Sequence, residues 1–302
     1  MIYYDLCITW NWEYDADFVR LLEEACQARG LSLLQVTPHN LPTVWQALIS
    51  QKLTFRAFFD RASDEYPLFL PLAGWAQRHC LLYINAREQA IRAWDKAAMH
   101  WRFGLAGIRT PYTVILPPFN AQPELPPADL SPLGQEFTIK PACRGGGQGV
   151  VNGANSWAEV LAARQKFPGD KYLLQSRVVP AMLGMRPAWF RAIYCVGQVH
   201  LCWWNPQTHV YAPLHSSDEA QYALTPLRDT ASQIACICGL DLFSSELALT
   251  SEGDLVAVDY VNDPIDLRLQ SKAHEGVPDE IVCRIAEQLA LLASPARRKG
   301  DS

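Results

Sequence analysis

Phe137-Thr-Ile-Lys140-Pro-Ala-Cys-Arg-Gly-Gly-Gly-Gln-Gly149 reads as an apolar strand that ends in a lysine and runs into a glycine-rich loop. Glycine has no Cβ, so the backbone of such a loop approaches an anion closely, and Lys140 is well placed to meet a phosphate. No Gly-Lys-Ser/Thr closes the run as in a Walker A motif, and it opens no helix as a dinucleotide fingerprint would. Alone, a glycine-rich turn is more often only a turn. About a hundred residues later, Leu242 to Leu249 and Leu255 to Val261 read as an antiparallel pair around Ser251-Glu-Gly-Asp254. Glu246 on one strand, with Asp259 and Asn262 at the end of the other, would project oxygen ligands into a shared space. Such a sparse hard-oxygen set suits magnesium, which takes one or two protein carboxylates and completes its shell with water and phosphate oxygens.

Before the glycine loop, residues 1–85 alternate short apolar runs with helical periodicity, the pattern of a parallel α/β layer. Strands are expected at Ile2 to Thr9, Leu31 to Val36, Phe55 to Asp60 and Cys80 to Ile84. Asp15 or Asp17 caps the first helix, Gly30 closes it, and Asn40 with Pro42 starts another. Arg87 to Gly104 reads as one amphipathic helix with Ile91, Trp94, Ala98 and Trp101 or Phe103 inward. Leu116 to Pro132 is a proline-rich loop. Ser156 to Lys166 is expected as a helix, Tyr172 to Val178 as a strand, and Phe190 to Trp204 as a hairpin turning at Gly197-Gln198. Helices at Arg228 to Cys238 and Val277 to Leu292 follow, then a frayed basic tail, Arg297 to Ser302.

The chain has 302 residues, 49% hydrophobic and 19% charged, which excludes the disordered class and favours about two domains. Its 26 basic and 31 acidic side chains give a net charge of −5, so no nucleic acid partner is expected from charge. Nine scattered cysteines, Cys143 included, read as reduced and mostly buried. No basic leader and no run of 18 apolar residues occurs, so the expected location is cytoplasmic with no membrane partner. Neither a histidine–carboxylate set for zinc nor a GxSxG elbow is present. Trp10/Trp12 and Trp203/Trp204 fit core filling better than a ligand cleft, though Trp10, Trp12 and Asp15 stand at a strand end, where ligands of open α/β sheets gather.

A strand-end lysine, a glycine lid, then acid and amide on a later hairpin, all behind an open α/β domain, resemble the ATP-grasp superfamily. The glutathione-synthetase-like branch, which includes ribosomal-protein glutamate ligases, is the nearest look over roughly residues 80–270. Asn85-Ala-Arg-Glu-Gln-Ala-Ile-Arg-Ala-Trp-Asp-Lys96 with Gly107-Ile-Arg-Thr-Pro-Tyr-Thr113 matches the family's Asn, Asp-Lys, Gly-Ile-x-x-Pro-x-Thr order and is the strongest signal. The resemblance implies a pre-ATP-grasp substrate domain at 1–85, a linker helix and glycine-lid lobe at 86–178, and a metal-bearing lobe at 179–302, the two α+β lobes clamping the nucleotide. It implies phosphate contacts from Lys96 and Lys140, a mobile lid of Gly145, Gly146, Gly147 and Gly149, and an adenine hinge over Gln175, Ser176 and Val178. Arg191 would face the γ-phosphate, and Glu246, Asp259 and Asn262 would hold magnesium, for which manganese can substitute. Arg144 in the lid, read from its position alone, fits a phosphate contact or a solvated loop arginine.

Departures from the family pattern are specific. Ser176 stands where the hinge often has Glu, Trp189 replaces an acid, and no acidic residue between Lys171 and Ser217 serves the ribose. Asp259 and Asn262 are separated by two residues where the family has one, so regular alternation would put them on opposite faces. Either a bulge intervenes or Asp263 serves instead. Arg268, just beyond, fits a clamp on a substrate carboxylate or acyl phosphate as well as a salt bridge to Asp266. The expected function is an ATP- and magnesium-dependent carboxylate–amine or carboxylate–thiol ligase working through an acyl phosphate on small molecules or a peptide terminus. A small-molecule kinase and a non-catalytic nucleotide-binding module are the alternatives, and related enzymes are often dimers or tetramers.

Overall fold

The computed structural model describes residues 1–294, so the expected tail from Arg297 to Ser302 lies outside the described residues. The first domain is a parallel sheet in the order β2-β1-β3-β4, from β1 (Ile2–Trp10), β2 (Leu33–Val36), β3 (Leu53–Arg61) and β4 (Leu82–Ile84). Its connections are α1 (Ala16–Gln27), α2 (Leu41–Ile49) and α3 (Leu70–His79). Leu6 and Ile8 pack with Phe18 and Leu22 of α1 on one face, while Cys7 and Phe58 meet Val44, Leu48 and Leu72 on the other. This is the two-sided burial a parallel sheet requires. Asp15 stands at the N-terminal boundary of α1 as expected but caps nothing with its side chain, which pairs with Arg61.

The segment read as one helix is two, α4 (Arg87–Trp94) and α5 (Lys96–Leu105). Asp95 breaks it: its backbone is extended, and its carboxylate accepts from the amides of Ala97 and Ala98 at 3.0 and 3.1 Å. An aspartate that caps the following turn competes with continuation of the preceding one. The break rotates the second helix, so Phe103 is buried while Trp101 is 66% exposed rather than inward, and Ile91 on the first helix is 48% exposed as well.

Beyond the linker, β5 (Thr113–Leu116), β6 (Phe137–Pro141), β7 (Val151–Ala154) and β8 (Tyr172–Ser176) form an antiparallel sheet ordered β5-β8-β6-β7 and covered by α6 (Trp157–Lys166). The proline-rich loop after β5 is anchored by the buried Arg164, which donates to the carbonyls of Pro117 and Gln122. The short ribbon β9 (Met182–Leu183) and β10 (Arg186–Pro187) leads into a five-stranded antiparallel sheet. Its order is β13-β12-β11-β14-β15, with β11 (Trp189–Cys195), β12 (Gln198–Asn205), β13 (Val210–Pro213), β14 (Leu242–Leu249) and β15 (Leu255–Asn262). The β11–β12 turn is Val196-Gly197, one residue earlier than expected, because both positions take positive φ, 46° and 85°.

After the short α7 (Ser216–Gln221), α8 (Thr225–Cys238) packs with α4 and α5 on one face of this sheet. Ile193, Cys195, Cys202 and Trp204 on its other face join the core of the first domain. The last helix, α9 (Asp279–Ala293), returns to lie against α1 and β11, so the C-terminal segment closes on the N-terminal domain. All nine cysteines are free, with Cys143 and Cys236 exposed. Among the described residues, no helix is long and apolar enough to cross a membrane.

Candidate active site

The acid–amide spacing that strict alternation forbids is resolved by irregular pairing. Ser244 pairs with Asn262 and Glu246 with Asp259, so β15 spends three residues where β14 spends two, and a second shift follows between Glu246 and Leu247. A bulge of this kind re-aims side chains. Asn262 thereby hydrogen-bonds Asp259, and its amide lies near the Ser244 carbonyl at 3.4 Å. The carboxylate of Asp263, the alternative to the bulge, accepts from Asn85 at 2.7 Å.

Lys140 reaches this hairpin from the other lobe, donating to the Val258 carbonyl at 3.1 Å. Burial pushes its ammonium down, against the pull of Asp259 and Glu246. Arg191, opposite Glu246 in the register, pairs with that carboxylate, donates to Ser244 Oγ at 3.1 Å and stacks 4.8 Å from the Trp204 ring. Burial holds the Glu246 carboxyl above its usual range. Burial also acts to raise Asp259, but Lys96, Lys140, Arg191 and the bond from Asn262 overcome it and hold that carboxyl low. Three cations thus converge on two carboxylates.

Lys96, the first residue of α5, is tied to the root of the glycine loop: its amide donates to Ala142 O at 2.9 Å and its Nζ to Arg144 O at 2.7 Å. Gly145 to Gln148 form an exposed turn beyond it, and Gly149 is half-buried. The side chain of Arg144 points elsewhere, paired with Asp170 at 2.9 Å and lying over Phe167 at 4.5 Å. Gln175 is 2% exposed, and its amide is spent on Tyr260 at 2.8 Å and Thr113 at 3.2 Å, so the side chain serves the core beneath the hinge rather than a pocket. Ser176 and Val178 remain half-buried where the chain crosses between lobes. Arg268 is held by Asp266 at 2.8 and 2.6 Å, the salt bridge rather than a free clamp. Trp203 and Trp204 are buried, as core filling requires.

Two residues carry roles that sequence reading did not assign. Asn85 accepts from the amides of Asp241 and Leu242 at 2.8 and 3.0 Å while donating to Asp263, fixing the start of β14 to the loop after β15. Its place in the Asn…Asp-Lys order was the only signal. Arg61 pairs bidentately with Asp15 and donates to Ile265 O at 3.1 Å, which joins the first domain to the same loop, and no spacing announces a pair 46 residues apart.

Among the described residues, no group of three or more His, Cys, Asp or Glu is arranged to hold a metal. Two carboxylates and one amide oxygen on the same stretch of hairpin nevertheless fit the small protein share of a magnesium shell. A cavity of about 690 Å³ lined by His200, Arg228 and Arg284 lies apart from these groups.

No protein-family model matches the sequence, and no curated protein matches it either. Solved structures do. A RimK domain ATP-grasp protein from Sphaerobacter thermophilus aligns with a TM-score of 0.62 and 20% identity, covering 94% of this chain and 97% of that one. D-alanine–D-alanine ligase from Bacillus anthracis complexed with ATP aligns at TM-score 0.64 and 10% identity over 100% of both chains. Macrocyclase MdnC from Microcystis aeruginosa, bound with precursor peptide MdnA, aligns at 0.64 and 11% identity, covering 96% of this chain and 100% of that one. At such identities the likeness speaks for architecture alone, and it does so over nearly the whole length: this chain has the ATP-grasp fold.

Proposed function

We propose that this protein is an ATP- and magnesium-dependent ligase that joins a carboxylate to an amine or thiol through an acyl phosphate. The observation that carries this reading is the convergence of Lys140, Arg191, Glu246, Asp259 and Asn262 from two lobes on one buried junction. The names of the similar structures, among them a D-alanine–D-alanine ligase and a peptide macrocyclase, favour small carboxylates or a peptide as substrate.

The chemistry follows from charge. A carboxylate carbon is poorly electrophilic, so its oxygen first attacks the γ-phosphorus, and the bond from that phosphorus to the bridging oxygen breaks to release ADP. The nucleophile then attacks the acyl carbon, phosphate leaves with the C–O bonding electrons, and the nucleophile loses a proton. Lys96 and Lys140 hold the phosphates, and Arg191, released from Glu246, stabilises the negative charge that shifts during transfer. Glu246, Asp259 and Asn262 would hold magnesium, which when bound would supply positive charge against the phosphates. Gly145, Gly146, Gly147 and Gly149 cover the phosphates and keep water from the acyl phosphate. The backbone of Ser176 to Val178 receives the base.

The test is nucleotide binding followed by product analysis. The protein with magnesium is expected to bind a fluorescent ATP analogue, and Lys140→Met to weaken it by about 10- to 100-fold, the scale of one charge-assisted hydrogen bond. With both substrates present, ADP and inorganic phosphate appear together. Phosphate retained on an organic product would instead establish a kinase, and no nucleotide binding at all would sink both readings.

A further inference from the structure

At the carboxyl end of β1, Trp12 and Tyr14 stand 38% and 54% exposed, their rings 5.2 Å apart and edge to face. The Arg268 guanidinium lies 5.5 Å from the first ring and 5.9 Å from the second. Its N–H edge faces Asp266 at 2.6 Å and Glu275 at 3.8 Å. A chain of contacts joins this ledge to the phosphate junction. Arg191 stacks on Trp204, Trp204 meets Tyr211 at 4.7 Å, and Gln270, two residues beyond Arg268, donates to Tyr211 O at 2.9 Å. Arg61 straps the same loop to β3 through Ile265 O.

The charges choose the ligand. Two carboxylates share one guanidinium, so an anionic substrate would have to displace a carboxylate, whereas a cation meets one surplus negative charge beside two half-exposed aromatic rings that Arg268 already approaches. Among the described residues, Lys272 and His274 of the same loop form no ion pair with Asp266 or Glu275. Arg268 already shows that these rings accept a planar cation. We infer that Trp12, Tyr14, Asp266 and Glu275 form a subsite for a cationic group of the substrate, an ammonium or guanidinium such as a basic side chain carries. The inference rests on the ligase reading only for its statement that the occupant is a substrate.

Butylguanidinium is the probe, with butyrate as its anionic counterpart, titrated into the full-length protein by calorimetry with and without magnesium and a non-hydrolysable ATP analogue. Saturable binding of butylguanidinium is expected, with butyrate failing to compete. Trp12→Ala should weaken it about tenfold, the scale of a partly desolvated cation–π contact together with lost packing, while Trp12→Phe retains most of it and Glu275→Gln weakens it with the rings intact. Both tryptophan variants should bind nucleotide as the wild type does. Preference for butyrate, or equal butylguanidinium binding by Trp12→Ala, overturns the subsite. Failure of the wild type to bind nucleotide overturns the ligase reading instead, and the titration without nucleotide then still decides whether the ledge takes a cation.

Discussion

Asn85 shows how much one buried amide can organise. Its oxygen accepts from two successive backbone amides at the start of β14, and its nitrogen donates to Asp263, the neighbour of Asn262. Removing it would leave the Asp241 and Leu242 amides without a partner, and an unsatisfied buried group costs about 1–3 kcal/mol. Asn85→Ala should therefore lose about 2–4 kcal/mol in urea denaturation. An unchanged midpoint would show that water replaces the amide. His200 makes a second case. Burial holds its imidazole below its ordinary value, the bond with Gln288 only partly opposing this, so the folded state keeps the ring neutral. The unfolded chain binds the extra proton once pH falls through about 6.5, so this contribution is complete above that value and lost below it. Between pH 7.5 and 5.5 the melting temperature of wild type should fall more than that of His200→Asn.

Among the elements, the glycine loop is not uniform. Gly149 has φ +73°, and a Cβ there would sit 2.6 Å from the Phe167 ring, whereas a Cβ on Gly145 meets nothing within 4 Å. Gly149→Ala should accordingly cost about 1–3 kcal/mol of stability, while Gly145→Ala stays within about 0.5 kcal/mol in thermal denaturation. Equal effects would mean that Phe167 swings aside freely. The break between α4 and α5 is equally local in origin. Asp95 both caps α5 and pairs with Lys171 at 3.1 Å. The interrupted helix was legible as amphipathic from its periodicity, but not its break, because an aspartate on a helix face and an aspartate at a cap read alike until the backbone is known.

At the scale of the molecule, the first domain is fastened to the loop after β15 by Arg61, whose side chain is 3% exposed and paired with Asp15. Removing one partner leaves a buried charge uncompensated, which costs about 3–5 kcal/mol, whereas replacing both with apolar groups is often tolerated. Asp15→Ala should therefore lower stability more than the double variant Asp15→Leu/Arg61→Met, as chemical denaturation would read out. If the single variant were the milder, the pair would not be the strut. The same loop carries Ile265 and Arg268, so this strut ties the aromatic ledge to the first domain.

The sequence by itself determined the layer order and most element boundaries, since apolar periodicity and glycine–proline punctuation are local signals. It also named Lys140, Glu246, Asp259 and Asn262, because a strand-end lysine and hairpin oxygens advertise themselves in short motifs. Only the tertiary structure decided that Asp259 and Asn262 serve one face, that Asp263 belongs to Asn85, and that the side chains of Gln175 and Arg144 are engaged away from the junction. Those outcomes depend on pairing register and on partners tens to hundreds of residues away. Such partners are chosen by packing and burial, which a linear chain does not display until its sheets have met.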